Sequence, residues 1–276
     1  MATERITVFC FAASYACALV GELLQLCWPR PVQRLLATGF AVAGLLAHTL
    51  FLLARPPALS SQFWSMLFLA WILAVFYLYG SLHHRRVAWG VFVLPVVLGL
   101  TVLAGTLDRT GSGAEGPVSH DPVPIRVEAF WVTAHIGLLL LAAVGVCVGF
   151  VASVMYLVQA GRLKAKALPR QGVRLLSLER LEAMNRRAVN LAFPLLTAGV
   201  LIGGALLLQR PEQLREWGDP KVWGAVVLWA VFAILLYLRY GVQARGRRLA
   251  LLTIMAFALL VFTLASPHPV VQGGGP

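Results

Sequence analysis

Charge is scarce in this chain: only 12% of its 276 residues are Asp, Glu, Lys or Arg. A soluble domain carries about twice that share, so a water-soluble fold is excluded. Acidic residues are the rarer sign, 11 against 23 basic ones. On a soluble protein the net charge of +12 would point to nucleic acid. In a chain this apolar it reads as the basic bias of cytoplasmic membrane loops, and no nucleic-acid partner is expected. The four cysteines, Cys10, Cys17, Cys27 and Cys147, form no CxxC pair and all fall in apolar runs. A thiol-exchange centre or a thiolate metal site is thereby disfavoured, and they read as small buried apolar residues. No Walker-type loop, HExxH helix or serine nucleophile motif occurs, so the chain is not expected to be an enzyme by itself. Met1 to Arg5 is too short and too poor in basic residues for a signal n-region, so the first apolar run is expected to be retained.

What the chain has is apolar length. Its mean hydropathy is +0.81 and 59% of it is hydrophobic. Eight runs approach the roughly 20 residues that span a bilayer: Ile6 to Trp28, Leu35 to Leu53, Phe63 to Leu82, Val87 to Leu107, Ala129 to Gln159, Ala188 to Leu208, Val222 to Tyr240 and Leu249 to Ser266. The fifth exceeds what a bilayer needs, so it tilts or its first turns stand clear of the membrane. The expected fold is all-α, a polytopic membrane protein in the lipid bilayer with eight transmembrane helices.

Orientation follows from Lys and Arg in alternate connections. The first, third, fifth and seventh connections hold 16 of them, and the N-terminus and remaining connections hold 7. The richer set is placed in the cytoplasm and both termini on the external, periplasmic side. Residues 1–276 then form a single transmembrane domain. It comprises an N-terminal four-helix part over 1–107, an external loop over 108–128 and a C-terminal four-helix part over 129–276 with a cytoplasmic loop at 162–187. In that inner loop Leu175, Leu178 and Leu181 recur at helical spacing beside Arg174, Arg180 and Arg187. Two readings stand: an amphipathic helix on the inner membrane surface, held by anionic lipid, or topogenic charge alone.

Few polar groups lie within the spans. A charged side chain in hydrocarbon costs several kcal/mol, yet Glu22 sits near the inner end of the first span, and snorkelling toward Arg30 or Arg34 accounts for it. His83 and His84 beside Arg85 and Arg86 read as interfacial polar residues, and His120 as a solvated loop residue. His48, His135 and His268 differ, since all three fall toward the external side. A lone histidine near a helix end usually serves packing, but neutral imidazole is also an iron ligand, and two imidazoles can hold both axial positions of one haem. On the same side Trp217-Gly218-Asp219-Pro220-Lys221-Val222-Trp223, followed by Trp229, makes an aromatic and acidic corner. Asp219 before Pro220 can cap the seventh helix and turn the indoles of Trp217 and Trp223 toward one surface segment, where they can stack on a flat ring such as a porphyrin. Trp223 and Trp229 alone would be interfacial anchors.

The stretch His135 to Tyr156, the run Asn190 to Gly199, the segment Trp217 to Tyr240 and Arg245-Gly-Arg-Arg248 resemble the cytochrome c assembly protein family. This integral membrane haem-handling group includes CcsA, CcmC and HemX-like proteins. The resemblance covers the C-terminal half, and more loosely Ala47-His48-Thr49-Leu50 and Phe63 to Leu78. It implies that a tryptophan-rich external segment presents haem while flanking histidines ligate the iron. Trp217, Asp219, Pro220, Lys221 and Trp223 match that segment, His135 matches the histidine before it, and His268 matches the one after it by position only. The segment is shorter than the family's, its glutamate after the lysine is missing, and a histidine that CcsA-type members carry near the end of the seventh span is Tyr237 here. These departures fit the shorter HemX-like branch.

The resemblance implies a haem-handling factor of cytochrome c biogenesis in the cell inner (plasma) membrane. It would bind haem b at the external face and support delivery to apocytochrome c, with or without a partner assembly membrane subunit. His135 and His268 would be the axial ligands of the iron, His48 a third or relay ligand, and Trp217, Asp219 and Trp223 the presenting surface. The alternative is a HemX-like regulatory or scaffold protein that keeps the fold without haem transfer. A transporter ranks lowest, because no inverted repeat or midplane acid is evident.

Overall fold

In hydrocarbon an unpaired peptide group costs several kcal/mol, so an apolar run must close its hydrogen bonds within itself. The eight runs do so as eight helices in the computed structural model, which describes residues 8–27, 31–54, 61–83, 87–109, 126–165, 176–209, 220–244 and 246–266. They are α1 (Val8–Cys27), α2 (Pro31–Ala54), α3 (Gln62–His83), α4 (Gly90–Arg109), α5 (Arg126–Lys164), α6 (Leu178–Leu208), α7 (Pro220–Tyr240) and α8 (Arg247–Ala265). All eight are long and apolar enough to cross a membrane, and among the described residues no strand occurs.

The packing follows chain order. α1 lies against α2, α2 against α3, α3 against α4, and α4 returns to α1. The same cycle repeats with α5, α6, α7 and α8. Two four-helix rings result, and they meet where α3 touches α5 and α8 and where α4 touches α5. We call the end at which α1 starts and α8 stops the terminal end; the charge pattern predicts that it faces outward. There the Gln62 side-chain amide at the start of α3 donates to the backbone oxygen of Ser266 just after α8, which ties one ring to the other.

Two expectations are corrected. Residues 178–187, expected in the cytoplasmic loop, are the first turns of α6, continuous with the span. Leu181 and Asn185 are in phase with Ala188, Ala192 and Leu196 on one buried face, while Arg180, Arg186 and Arg187 are exposed. Ser177 opens the helix, its hydroxyl accepting from the Arg180 backbone N–H at 3.4 Å, with Glu179 in the first turn. The leucine periodicity thus belongs to a packed helix and not to one lying on the membrane surface; Arg174 and Leu175 fall outside the described residues. α5 likewise runs to Lys164 and has 39 residues, roughly 58 Å of helix against about 30 Å of hydrocarbon.

The second correction concerns Glu22. Arg34 stands near enough for its charge to act on the carboxylate, but the group is buried in the first ring rather than carried out to the surface, and there the Tyr77 hydroxyl of α3 donates to Oε1 at 2.7 Å. Arg34 directs Nη2 to the Ser81 carbonyl at 3.1 Å, and Arg30 lies outside the described residues. Glu22 is 8% exposed and stands against the first residue of α4, where a Cβ on Gly90 would lie 2.6 Å from its carboxyl carbon. The positive end of the α4 dipole and the tyrosine proton replace the water that snorkelling would have supplied.

α5 and α6 approach closely through small residues contributed by both. A Cβ on Gly145 would stand 2.8 Å from that of Ala192, and one on Gly199 would stand 2.7 Å from Leu139 Cδ2. Gly203 receives the ring of His135 in the same way. Gly137, on the same helix as Gly145, has nothing within 4 Å of its would-be Cβ. Gly145→Ala should therefore destabilise by about 1–3 kcal/mol through overpacking, read as a lower melting temperature in detergent, while Gly137→Ala should not. Equal melting temperatures for the two variants would count against this interface.

Candidate functional site

His135 lies nine residues into α5, roughly 14 Å from its start at the terminal end. Its Nδ1 sits 2.7 Å from the backbone oxygen of Gly199. A carbonyl can only accept, so Nδ1 carries the proton, and in the neutral ring Nε2 keeps a lone pair. This is how metal-ligating histidines are set: a backbone acceptor fixes the tautomer and orientation, and the other nitrogen is presented. The seat exists because Gly203, one turn on from Gly199, leaves no Cβ where the ring lies. Trp131, one turn before His135 and so on the same face, is 46% exposed, with Phe130 packed edge-on to it at 5.6 Å. Sequence reading passed over Trp131, although its i to i+4 spacing from His135 is visible in the sequence.

His48 is held differently. Its ring is fully buried, stacked on Phe11 of α1 with centroids 4.2 Å apart and planes within 4°. The Tyr15 hydroxyl lies 3.4 Å from Nδ1, and Nε2 has no hydrogen-bond partner. It belongs to the first ring and His135 to the second, and a porphyrin could reach it only if Phe11 or Tyr15 moved aside.

Trp223, in the first turn of α7, is 58% exposed. Trp229, nine residues into α7, is no anchor at the rim: its indole N–H donates to Thr197 Oγ1 at 3.0 Å and its ring stacks on Phe193 at 5.9 Å, both on α6. Tyr237 is 68% exposed on the outside of the bundle. His83 fits the interfacial reading, stacking on Tyr79 of its own helix with centroids 4.1 Å apart. Trp217, Asp219 and His268 lie outside the described residues, as do His84 and His120. Among the described residues no three His, Cys, Asp or Glu side chains converge as a metal site.

The family model described as cytochrome C assembly protein matches residues 59–266, from just before α3 to the end of α8. The chain belongs to the cytochrome c assembly protein family. Curated relatives are named cytochrome c biogenesis protein CcsA. That of Gloeobacter violaceus is 24% identical, with 88% of this chain and 86% of the relative covered. That of Microcystis aeruginosa is 26% identical, covering 81% of each, and that of the plant Liriodendron tulipifera is 24% identical over 88% of this chain and 83% of its own length. No solved structure matches. The cytochrome c assembly match encloses His135, Trp217, Asp219 and Trp223, whereas His48 precedes it and His268 follows it by two residues.

The orphaned nitrogen of His48 carries a testable consequence. A buried polar atom without a partner costs about 1–3 kcal/mol, and phenylalanine would keep the stack on Phe11. His48→Phe combined with Tyr15→Phe, which also removes the hydroxyl that Nδ1 partners, should therefore leave the melting temperature of the ligand-free protein unchanged or raise it. A clear fall would mean that Nε2 has a partner in the folded protein.

Proposed function

We propose that this chain is a membrane haem-handling factor of cytochrome c biogenesis. It binds haem b at its terminal end, on the external face of the cell inner (plasma) membrane, and supports delivery to apocytochrome c, alone or with a partner assembly membrane subunit. The family match and the role printed in the relatives' names support the biogenesis reading.

The observation that carries the ligand assignment is the register between α5 and α8. The two helices run antiparallel, with a Cβ on Gly149 falling 3.1 Å from Thr253 Cγ2, and Phe150 stacked on Phe257 at 4.0 Å. His135 is fourteen residues back along α5 from Gly149, and His268 is fifteen on from Thr253. Ala265, the last residue of α8, is twelve on from Thr253, so the end of α8 comes to within about one turn of the level of His135, which supports pairing His135 with a ligand from the chain that follows. The Gln62 bond to Ser266 ties the end of α8 to the start of α3, two residues before His268 in the sequence.

Haem is the cargo, and each residue has a physical task. His135 offers Nε2 in a fixed orientation, with the Gly199 carbonyl holding the opposite proton and raising the basicity of the ring. His268 closes the second axial position. Trp217, Asp219 and Trp223 form the presenting surface, and Trp131, one turn from His135 on α5, adds an aromatic face to it. His48, in the other ring, serves as relay ligand. Attachment to apocytochrome c then needs reduced cysteines on the acceptor, which this chain need not supply.

The visible spectrum of the purified protein tests this. A Soret band should accompany the wild type and weaken in both His135→Ala and His268→Ala. Gly203→Ala, which leaves every ligand in place but pushes on the His135 ring, should lower haem affinity about 10-fold. A wild type that takes up no haem overturns the proposal in favour of a scaffold role, and a band indifferent to His135 overturns the ligand assignment.

A further inference from the structure

At the opposite end of the second ring, far along α5 from His135, four helices line a small cleft: Ser153 and Tyr156 of α5, Glu182 and Asn185 of α6, Arg239 of α7 and Gly246 at the start of α8. Asn185, 5% exposed, organises it. Its Nδ2 donates to Ser153 Oγ at 2.8 Å, Thr253 Oγ1 at 3.1 Å and the Gly149 oxygen at 3.2 Å. The two hydroxyls spend their own protons on the backbone oxygens of Gly149 and Leu249, so they can only accept from Asn185. The amide orientation is thereby fixed, and Oδ1 receives Arg239 Nη2 at 2.7 Å.

One end of the Arg239 fork is thus committed, and the other is not. Nη1 is shut off from solvent with no hydrogen-bond partner. A guanidinium stays charged in proteins, and a charged donor removed from water without an acceptor is costly. Beside it the cleft encloses about 10 Å³, room for about one oxygen atom. The surroundings favour a negative one. α8 begins at Gly246, which has no side chain to cap the first N–H groups, and its φ of +75° with the Tyr156 hydroxyl 2.7 Å from a would-be Cβ keeps the position glycine. Arg186, Arg247 and Arg248 are exposed on the helices at this end and outnumber Glu182, the single acid among the described residues of the lining, whose charge also acts on Arg239.

We propose that this cleft is an oxyanion site that takes one phosphate oxygen, from a phospholipid headgroup at the membrane surface or from free phosphate. Nη1 and the open start of α8 are its donors, and the rest of the ligand stands outside the mouth. The site is separate from the haem reading and does not depend on it.

The test uses the full chain, delipidated in detergent. Its melting temperature is followed with potassium phosphate against potassium chloride at equal ionic strength, and with dihexanoyl phosphatidylglycerol against dihexanoylglycerol, which lacks the phosphate. A phosphate-bearing ligand should raise it by roughly 5 °C near saturation. The rise should vanish in Arg239→Gln and persist in Arg180→Gln, whose exposed side chain lies outside the cleft. A response to inorganic phosphate assigns a free anion, and a response to phosphatidylglycerol alone assigns the lipid. No phosphate-dependent rise, or the same rise in Arg239→Gln, overturns the site. Should Arg239→Gln fail to fold, the two wild-type comparisons decide: a rise with either phosphate-bearing ligand over its control supports the site, and no rise with either overturns it.

Discussion

The second ring depends on how closely α5 and α6 can approach. Between helices in a membrane there is little hydrophobic drive, because lipid tails are as apolar as leucine, and association rests on contact at short range and on interhelical hydrogen bonds. Gly145 admits Ala192, Gly199 admits Leu139 and Gly203 admits His135, one contact after another along two antiparallel helices. The same approach brings the Gly199 carbonyl within reach of His135 at one end and Asn185 within reach of Ser153 at the other. A methyl group in that seam would push the helices apart and loosen both polar arrangements together.

Much of this was legible in the sequence, for reasons that differ by element. Eight apolar runs bounded by charge gave eight helices because hydrocarbon permits little else. The span from 178 to 187 was not legible as part of α6. Its arginines lower the local hydropathy, and only the packing reveals that Leu181 and Asn185 share a face with Ala188 and Ala192. Glu22 was legible only in part: the charge of Arg34 does act on it, as the short distance along the chain suggests, whereas Tyr77 and the start of α4 are 55 and 68 residues away and meet it only in three dimensions.

The candidate site divides along the same line. His135 was noticeable as a histidine near a helix end, but that Gly199 and Gly203 seat it is a fact of the α5–α6 register. Trp229 looked like an interfacial anchor by residue type, and its partner Thr197 on α6 shows that it packs between helices. Asn185 and Arg239 gave no motif at all. Their importance comes from convergence, with four helices contributing to one set of hydrogen bonds.

The placement of polar groups also bears on how a flat, bulky cargo could be handled. Inside the first ring His48 is covered by Phe11 and Tyr15, and inside the second Asn185 is engaged with Ser153, Thr253 and Arg239. At the terminal end Phe130, Trp131 and Trp223 are all exposed. A cargo docked at that rim meets a histidine whose orientation is already fixed by α6, so binding need not also bear the entropy of ordering the ligand. His48 can then join only if α1 yields. On the proposed reading, the α1–α2 contact, and not the α5–α6 seam, is the part of the fold that must open before His48 can meet haem.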